Sequence, residues 1–406
     1  MKTTPLAAVG LLATAALVLT GCAGGTETAE PVDRSEITLT LTDTLSETSQ
    51  PIYQAVYDAC AAEIGIAGVE ATHVAGSGHI AKVVQQISSR SLPDVLMLDN
   101  PDVQQIAASG ALSPLGDYGI DGDGFPQGVL DAGSYEGDLY GIAPIVNSIA
   151  LIYNVDQLEA AGIEPPTTWA ELDDAAAALT TGSTYGIAFS AANSFEGTWQ
   201  FLPWMWSNGG DEDDLTSPEV VEALEFVTGL VQDGSASASV VGWSQNDVTD
   251  QFIAGNAAMM INGPWNLPRL TAAEGLNFDI ATIPVPNAGD DPVAPLGGET
   301  FTVPITEDAA TMEAAGAFVD CLTSDEHQVT MAAGRGAVPS SESAGEAAVE
   351  ANPYIGAFVD TVATARARTA LLGEDWPEAA TAIYTAVQIA LTGQASPEAA
   401  LEQVAG

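Results

Sequence analysis

Among the residues able to do chemistry, one tryptophan is better placed than any of the many acids. In the stretch Phe252 to Trp265, FIAGNAAMMINGPW, Phe252 and Ile253 end a helix and Gly255 supplies the left-handed turn that stops it. Ala257 to Ile261 is a short apolar run suited to a strand buried on both faces, and Gly263-Pro264 breaks it. Trp265 thus falls just past the carboxyl end of a buried strand, where open α/β sheets bind ligands. A flat indole there can stack on the C–H face of a sugar ring; packing in a core or between lobes is the competing role.

Catalytic groupings are harder to find. A secreted glycosidase needs two carboxylates at a set separation, but with 55 acidic residues, neighbours such as Asp173-Asp174 and Glu374-Asp375 carry no information. His73, His79 and His327 lack zinc-type spacing, so no metal site is expected. Gly76-Ser77-Gly78 lacks the G-x-S-x-G frame of a nucleophile elbow, and neither a P-loop nor a dinucleotide fingerprint is present. The expectation is a binding protein without cofactors rather than an enzyme.

The elements that must position Trp265 alternate along the chain. Ile37 to Thr42 alternates as a strand does and ends at Asp43; Ser49 and Pro51 start a helix that runs to Gly65. Val69 to Val74 reads as a strand, Ile80 to Arg90 as a helix, and Asp94 to Leu98 as a strand ending in Asp99-Asn100-Pro101. Strands alternating with helices argue a doubly wound α/β sheet. Beyond roughly 250 to 300 residues one core usually splits, so 406 residues predict two domains.

GNAAMMINGPW resembles the G-x-x-A-M-x-x-x-G-P-W signature of maltose-binding-type extracellular solute-binding proteins of ABC importers. The resemblance implies a two-lobed periplasmic-binding-protein-like fold, doubly wound sheets joined by several crossovers, and Trp265 stacking on a carbohydrate between the lobes. PDVLMLDNPDVQQIAASGALSPL is similar to the family's P-D-V stretch, which implies that Asp99 points into the cleft. A carboxylate suits sugar hydroxyls because its hydrogen bonds are charge-assisted; capping the helix near Pro101 is the rival role. Leu139 to Asn154 resembles the first crossover, where Asn147 offers both donor and acceptor. Leu296-Gly297-Gly298-Glu299-Thr300 resembles the second, where backbone at Gly298 can approach a ligand closely and Glu299 follows. Gly334 to Pro339 resembles the third, with Arg335 reaching the cleft or pinning the hinge, and Ala365 to Trp376 the closing segment, with Trp376 over the ligand.

Other tryptophans are candidates with less support. Of Trp199, Trp204 and Trp206 in FEGTWQFLPWMWSNGG, at most one or two can reach a cleft, and Trp199 is the expected one; Trp243 in the loop VGWSQN is another. Trp169, after Pro165-Pro166-Thr167-Thr168, reads as structural. The full set of ligand contacts expected is Asp43, Asp99, Asn147, Trp199, Trp243, Trp265, Gly298, Glu299, Arg335 and Trp376. Asp43 is followed by Thr44 without the Asp-Lys pair of maltose-binding protein, which argues against maltose itself.

Lys2, the largely apolar stretch Pro5 to Thr20 and Leu19-Thr20-Gly21-Cys22 describe an export signal, residues 1–21, whose end resembles a bacterial lipobox. That resemblance implies lipid attachment at Cys22 and a flexible tether over 22–35. The expected first lobe is 36–145 and 297–337, and the second 146–296 and 338–406. Without Lys2, seven basic residues face 55 acidic ones. Nucleic acid is thereby excluded as a partner, and a neutral ligand fits better than an anionic one. Cys60 and Cys321, the other two cysteines, are either bonded or two buried thiols. Expected partners are a carbohydrate, the permease of an ABC importer and the membrane through Cys22, with the protein a monomer on the extracytoplasmic face. The alternatives are the same fold binding a polyamine or peptide and, more remotely, a secreted glycosidase.

Overall fold

The computed structural model describes residues 34–74 and 78–405, so the expected signal, Cys22 and most of the tether lie outside the described residues, as do Gly76 and Ser77. Strand β1 (Thr38–Asp43) leads into helix α1 (Gln50–Ile64), then β2 (Gly68–His73) and β3 (Val95–Asp99). Pro51 sits in the first turn of α1 and Gly65 ends it at φ +73°, while Tyr53, Val56, Tyr57, Cys60 and Ala61 form its buried face. After four two-residue strands the chain crosses the molecule in β4 (Ile145–Asn147) and β5 (Ala150–Asn154). The second half of the fold holds β6 (Tyr185–Ala188), α2 (Phe195–Ser207), α3 (Gln245–Ile253), β7 (Ala257–Asn262) and β8 (Phe278–Ala281). The chain returns through β9 (Pro295–Pro304), α4 (Ala309–Leu322), α5 (Asp325–Arg335) and β10 (Val338–Pro339), and α6 (Trp376–Leu391) packs on α2.

Two sheets result. In the larger, β2, β1 and β3 are parallel and β9 lies antiparallel to β3, with Glu299 opposite Asp99. This departs from an all-parallel sheet for a topological reason. The first three strands end at the crossover side, whereas β9 arrives from there and must run away from it. In the smaller sheet β6 and β7 are parallel, and β5 lies between β7 and β8, antiparallel to both. Crossovers weld the lobes: β4 pairs with β9 at Gly297 and Gly298 and with β10 at Val338 and Pro339.

Each lobe is built round its own aromatic group. Tyr53, Tyr57, Phe301 and Phe318 pack with centroids 5.6–6.4 Å apart beneath the larger sheet. On the other side Trp169 stacks on Phe226 at 4.6 Å and Trp204 lies against both rings, which fits the structural reading of Trp169. Helix Trp169–Leu179 is started by a reciprocal cap, Thr168 accepting from the Glu171 N–H and the Glu171 carboxylate from the Thr168 N–H. Cys60 and Cys321 are joined, Sγ–Sγ 2.09 Å and Cα–Cα 5.8 Å, tying α1 to α4 across 261 residues of chain.

Candidate ligand-binding cleft

β7 is buried at every position, including its last residue, Asn262. Asn262 Nδ2 donates to the Gln245 carbonyl at 2.9 Å and to Thr249 Oγ1 at 3.0 Å, and Thr249 Oγ1 donates to Asn266 Oδ1 at 2.8 Å. This polar knot clamps the turn Gly263–Asn266 to α3 and so aims the indole between its two ends. Gly263 is required there: a Cβ would stand 2.0 Å from the Trp265 ring. Trp265 is half-buried, packed on one side against the second-lobe core and open on the other to a cavity of about 670 Å³. Ligand sites commonly fall between about 300 and 1,000 Å³.

Trp199 faces the same cavity from the second turn of α2, and Phe195, four residues earlier on the same helix face, lines its mouth at 55% exposure. Gly297 makes room for both Trp199 and Asn147, since a Cβ would lie 2.7 Å from the indole and 2.3 Å from Asn147 Oδ1. Gly298 carries φ +140°, and a Cβ would meet the Ile145 carbonyl at 2.9 Å. The glycine pair is therefore needed for the lobes' own packing as well as for access to the cavity.

Polar groups converge from both lobes. Asp99 lies at the capping position of the turn Asn100–Asp102 yet makes no capping hydrogen bond; its carboxylate accepts from Arg368 Nη2 at 2.9 Å and lines the cavity. Arg368, only 13% exposed, also donates to Asn100 Oδ1 at 2.7 Å and holds its guanidinium 4.9 Å from the Trp199 ring centroid. Glu299 pairs with Arg335 Nη2 at 3.3 Å, and Arg335 donates in addition to Ser49 Oγ and lies 5.9 Å from the Tyr53 ring. Burial pushes the Glu299 carboxyl up, against the pull of Arg335. Asn147, Trp265, Glu299 and Arg335 also border a smaller cavity of about 120 Å³. At the mouth Glu196 accepts from the Gln245 N–H, joining the starts of α2 and α3.

The structure thus brings Asp99, Asn147, Trp199, Trp265, Gly298 and Glu299 round one cavity, with Arg335 behind Glu299. Three expected residues lie elsewhere. Asp43 is 0% exposed; its carboxylate turns back to accept from the Leu45 N–H at 3.1 Å and to pair with His73 Nδ1 at 2.6 Å, leaving Thr44 to line the cleft. Trp243 packs against two hydrophobic clusters, one of them shared with Val129, Ala132 and Ala143, while Ser244, Gln245 and Asn246 after it reach the cavity. Trp376, 4% exposed, belongs to the core between α6 and α2, because the first turn of α6 faces inward. Trp204 and Trp206 are likewise in that core.

Sequence reading missed Arg368, Phe195, Glu196 and Gln245. The four-residue spacing of Phe195 and Trp199 was a usable signal. So was Arg368 itself, one of seven cations after Lys2 and inside the segment that was credited to Trp376.

Two lobes, three crossovers and an aromatic, acid-lined cleft at the strand ends define a ligand-capturing protein of the hinged kind. The model of the bacterial extracellular solute-binding protein family matches residues 55–357, and the chain belongs to that family. A binding protein of Brucella abortus (strain 2308) is 25% identical over 93% of both chains. Among solved structures, the GacH receptor of Streptomyces glaucescens, known unliganded and with acarbose, is 26% identical with a TM-score of 0.77, covering 91% of this chain and 96% of that one. The cyclic α-maltosyl-1,6-maltose binding protein of Arthrobacter globiformis is 25% identical with a TM-score of 0.78, covering 91% and 97%. Among the described residues no helix is long and apolar enough to cross a membrane.

Proposed function

We propose that this protein captures a neutral oligosaccharide between its lobes and delivers it to the permease of an ABC importer, from a lipid anchor at Cys22 on the extracytoplasmic face. The observation that carries the reading is the pair of indoles, Trp199 and Trp265, open to one cavity beside carboxylate and amide groups. Flat apolar rings match the C–H faces of pyranoses, and the polar groups match their hydroxyls. Of the two solved structures named above, one is in complex with acarbose and the other is of a cyclic α-maltosyl-1,6-maltose binding protein, which supports a sugar ligand here.

The charge arrangement favours a neutral ligand over a polyamine. Asp99 and Glu299 are each matched by an arginine, Arg368 and Arg335, which leaves Glu196 at the mouth, held by the Gln245 N–H, as the lining carboxylate without a cation beside it. The same pairing speaks against a glycosidase, whose acid must be free to give its proton. Residues 36–145 with 297–337 and residues 146–296 with 338–406 then act as two bodies about the crossovers. Sugar that touches both favours the closed arrangement by population shift, and that form is what a permease would accept.

A thermal-shift screen against mono-, di- and oligosaccharides, polyamines and short peptides tests this. At a hundredfold over Kd a native-state ligand adds about 2.7 kcal/mol, so a visible rise in Tm with one sugar class is expected. A rise confined to polyamines or peptides would overturn the ligand class.

A further inference from the structure

Outside the cavity lies a second, similar grouping. Helix α2 presents Trp206 two turns after Trp199, on the same side. The segment that carries Arg368 presents Arg366, whose guanidinium sits 4.7 Å from the Trp206 ring centroid, as that of Arg368 sits 4.9 Å from Trp199. Two arginines two residues apart therefore lie on two tryptophans seven residues apart. Only the Arg368–Trp199 rung borders the cavity.

The outer rung is closed by acids. Arg366 Nη2 reaches Asp211 Oδ1 at 2.7 Å and Glu212 Oε1 at 3.2 Å, and Trp206 Nε1 donates to Glu212 Oε2 at 2.8 Å. Glu212, with its side chain 0% exposed, thus receives both the cation and the N–H of the ring beneath it. The backbone of Arg366 is fixed as well, its N–H donating to the Ala294 carbonyl at 2.9 Å and Arg366–Ala367 pairing with Pro295–Leu296, one residue from Gly297. A buried ion pair adds little net stability but can fix geometry. Through the Trp206 N–H, this one ties the helix that bears Trp199 to the segment that bears Arg368.

We propose that Glu212, Trp206 and Arg366 are positioning residues for the cleft: they take no ligand themselves and set where Arg368 and the inner face of Trp199 stand. The inference rests on the reading of the cavity as the ligand site. Burial, reinforced by the neighbouring Asp211 and opposed by Trp206 and Arg366, pushes the Glu212 carboxyl up to about 7. Its ionisation above that pH completes the clamp on Arg366. Arg368 is faced by Asp99, Asn100 and Asp102, and burial together with Asp99 pushes the Asp102 carboxyl up to about 6, so that group titrates separately.

The test is made without ligand, so that its failure and that of the sugar assignment are distinguishable. The protein is labelled with 5-fluorotryptophan, and the Trp199 fluorine resonance, assigned with Trp199→Phe, is followed from pH 5 to 9. In the wild type it should shift with a midpoint near 7; in Glu212→Gln that step should vanish, leaving only the Asp102 step near 6. In Arg366→Ala, where Glu212 still titrates, the Trp199 step near 7 should also be lost. A Trp199 resonance that ignores pH near 7 in the wild type, or keeps its step in either folded variant, overturns the proposal.

Discussion

At the residue scale the cleft depends on two indoles that owe their position to glycine. Trp265→Ala removes one stacking face while leaving the polar knot of Asn262, Thr249 and Asn266 in place. We expect calorimetric affinity for a bound oligosaccharide to fall at least about tenfold, about 1.4 kcal/mol, with little change in Tm. Gly263→Ala should do the same indirectly, because the new methyl would stand 2.0 Å from the indole and must displace it. Here a stability loss of about 1–3 kcal/mol accompanies the lost binding, measurable by urea unfolding. Glu212 supplies a pH prediction. Its folded-state pKa is about 7 against an ordinary value of 4.5, so the folded state holds the proton more tightly. Its contribution to stability is present below 4.5 and is lost as pH rises to about 7. Glu212→Gln should flatten that part of the stability-against-pH curve.

At the element scale, what was legible in the sequence was what local chemistry decides. Gly65, Gly255 and the Thr168–Glu171 cap end or start helices wherever they occur, and an unbroken apolar run such as Ala257–Ile261 can only be buried. Side-chain direction at strand and helix ends was not legible. Asp43 and Asp99 each end a parallel strand of one sheet, yet one turns inward to His73 and the other outward to Arg368. The choice is made by partners 30 and 269 residues away. Trp376 and Trp199 are the same residue type in neighbouring helices and both are buried, at 4% and 8% exposure, and only the packing of α6 on α2 decides that Trp199 alone also borders the cavity. The Cys60–Cys321 bond belongs to this scale too, as a tie between α1 and α4. Replacing both cysteines by alanine should cost about 2–5 kcal/mol, seen as a lower Tm, with ligand affinity unchanged because the bond lies beneath the first-lobe sheet and away from the cavity.

At the scale of the whole molecule, a chain with 55 acidic and eight basic residues places two of its few cations, Arg335 and Arg368, against the cleft acids Glu299 and Asp99. That local neutralisation lets a strongly acidic protein present a cleft suited to an uncharged ligand. A sugar held in this cleft would lie on Trp199 and Trp265. Isothermal titration calorimetry of the wild type, Trp199→Ala and Trp265→Ala against a panel of oligosaccharides, with spermidine as the cationic comparator, tests it directly. The account requires saturable one-to-one binding of at least one oligosaccharide by the wild type, weakened about tenfold or more in each variant, and no heat with spermidine. Binding of spermidine alone, or equal sugar affinity in all three proteins, would contradict it.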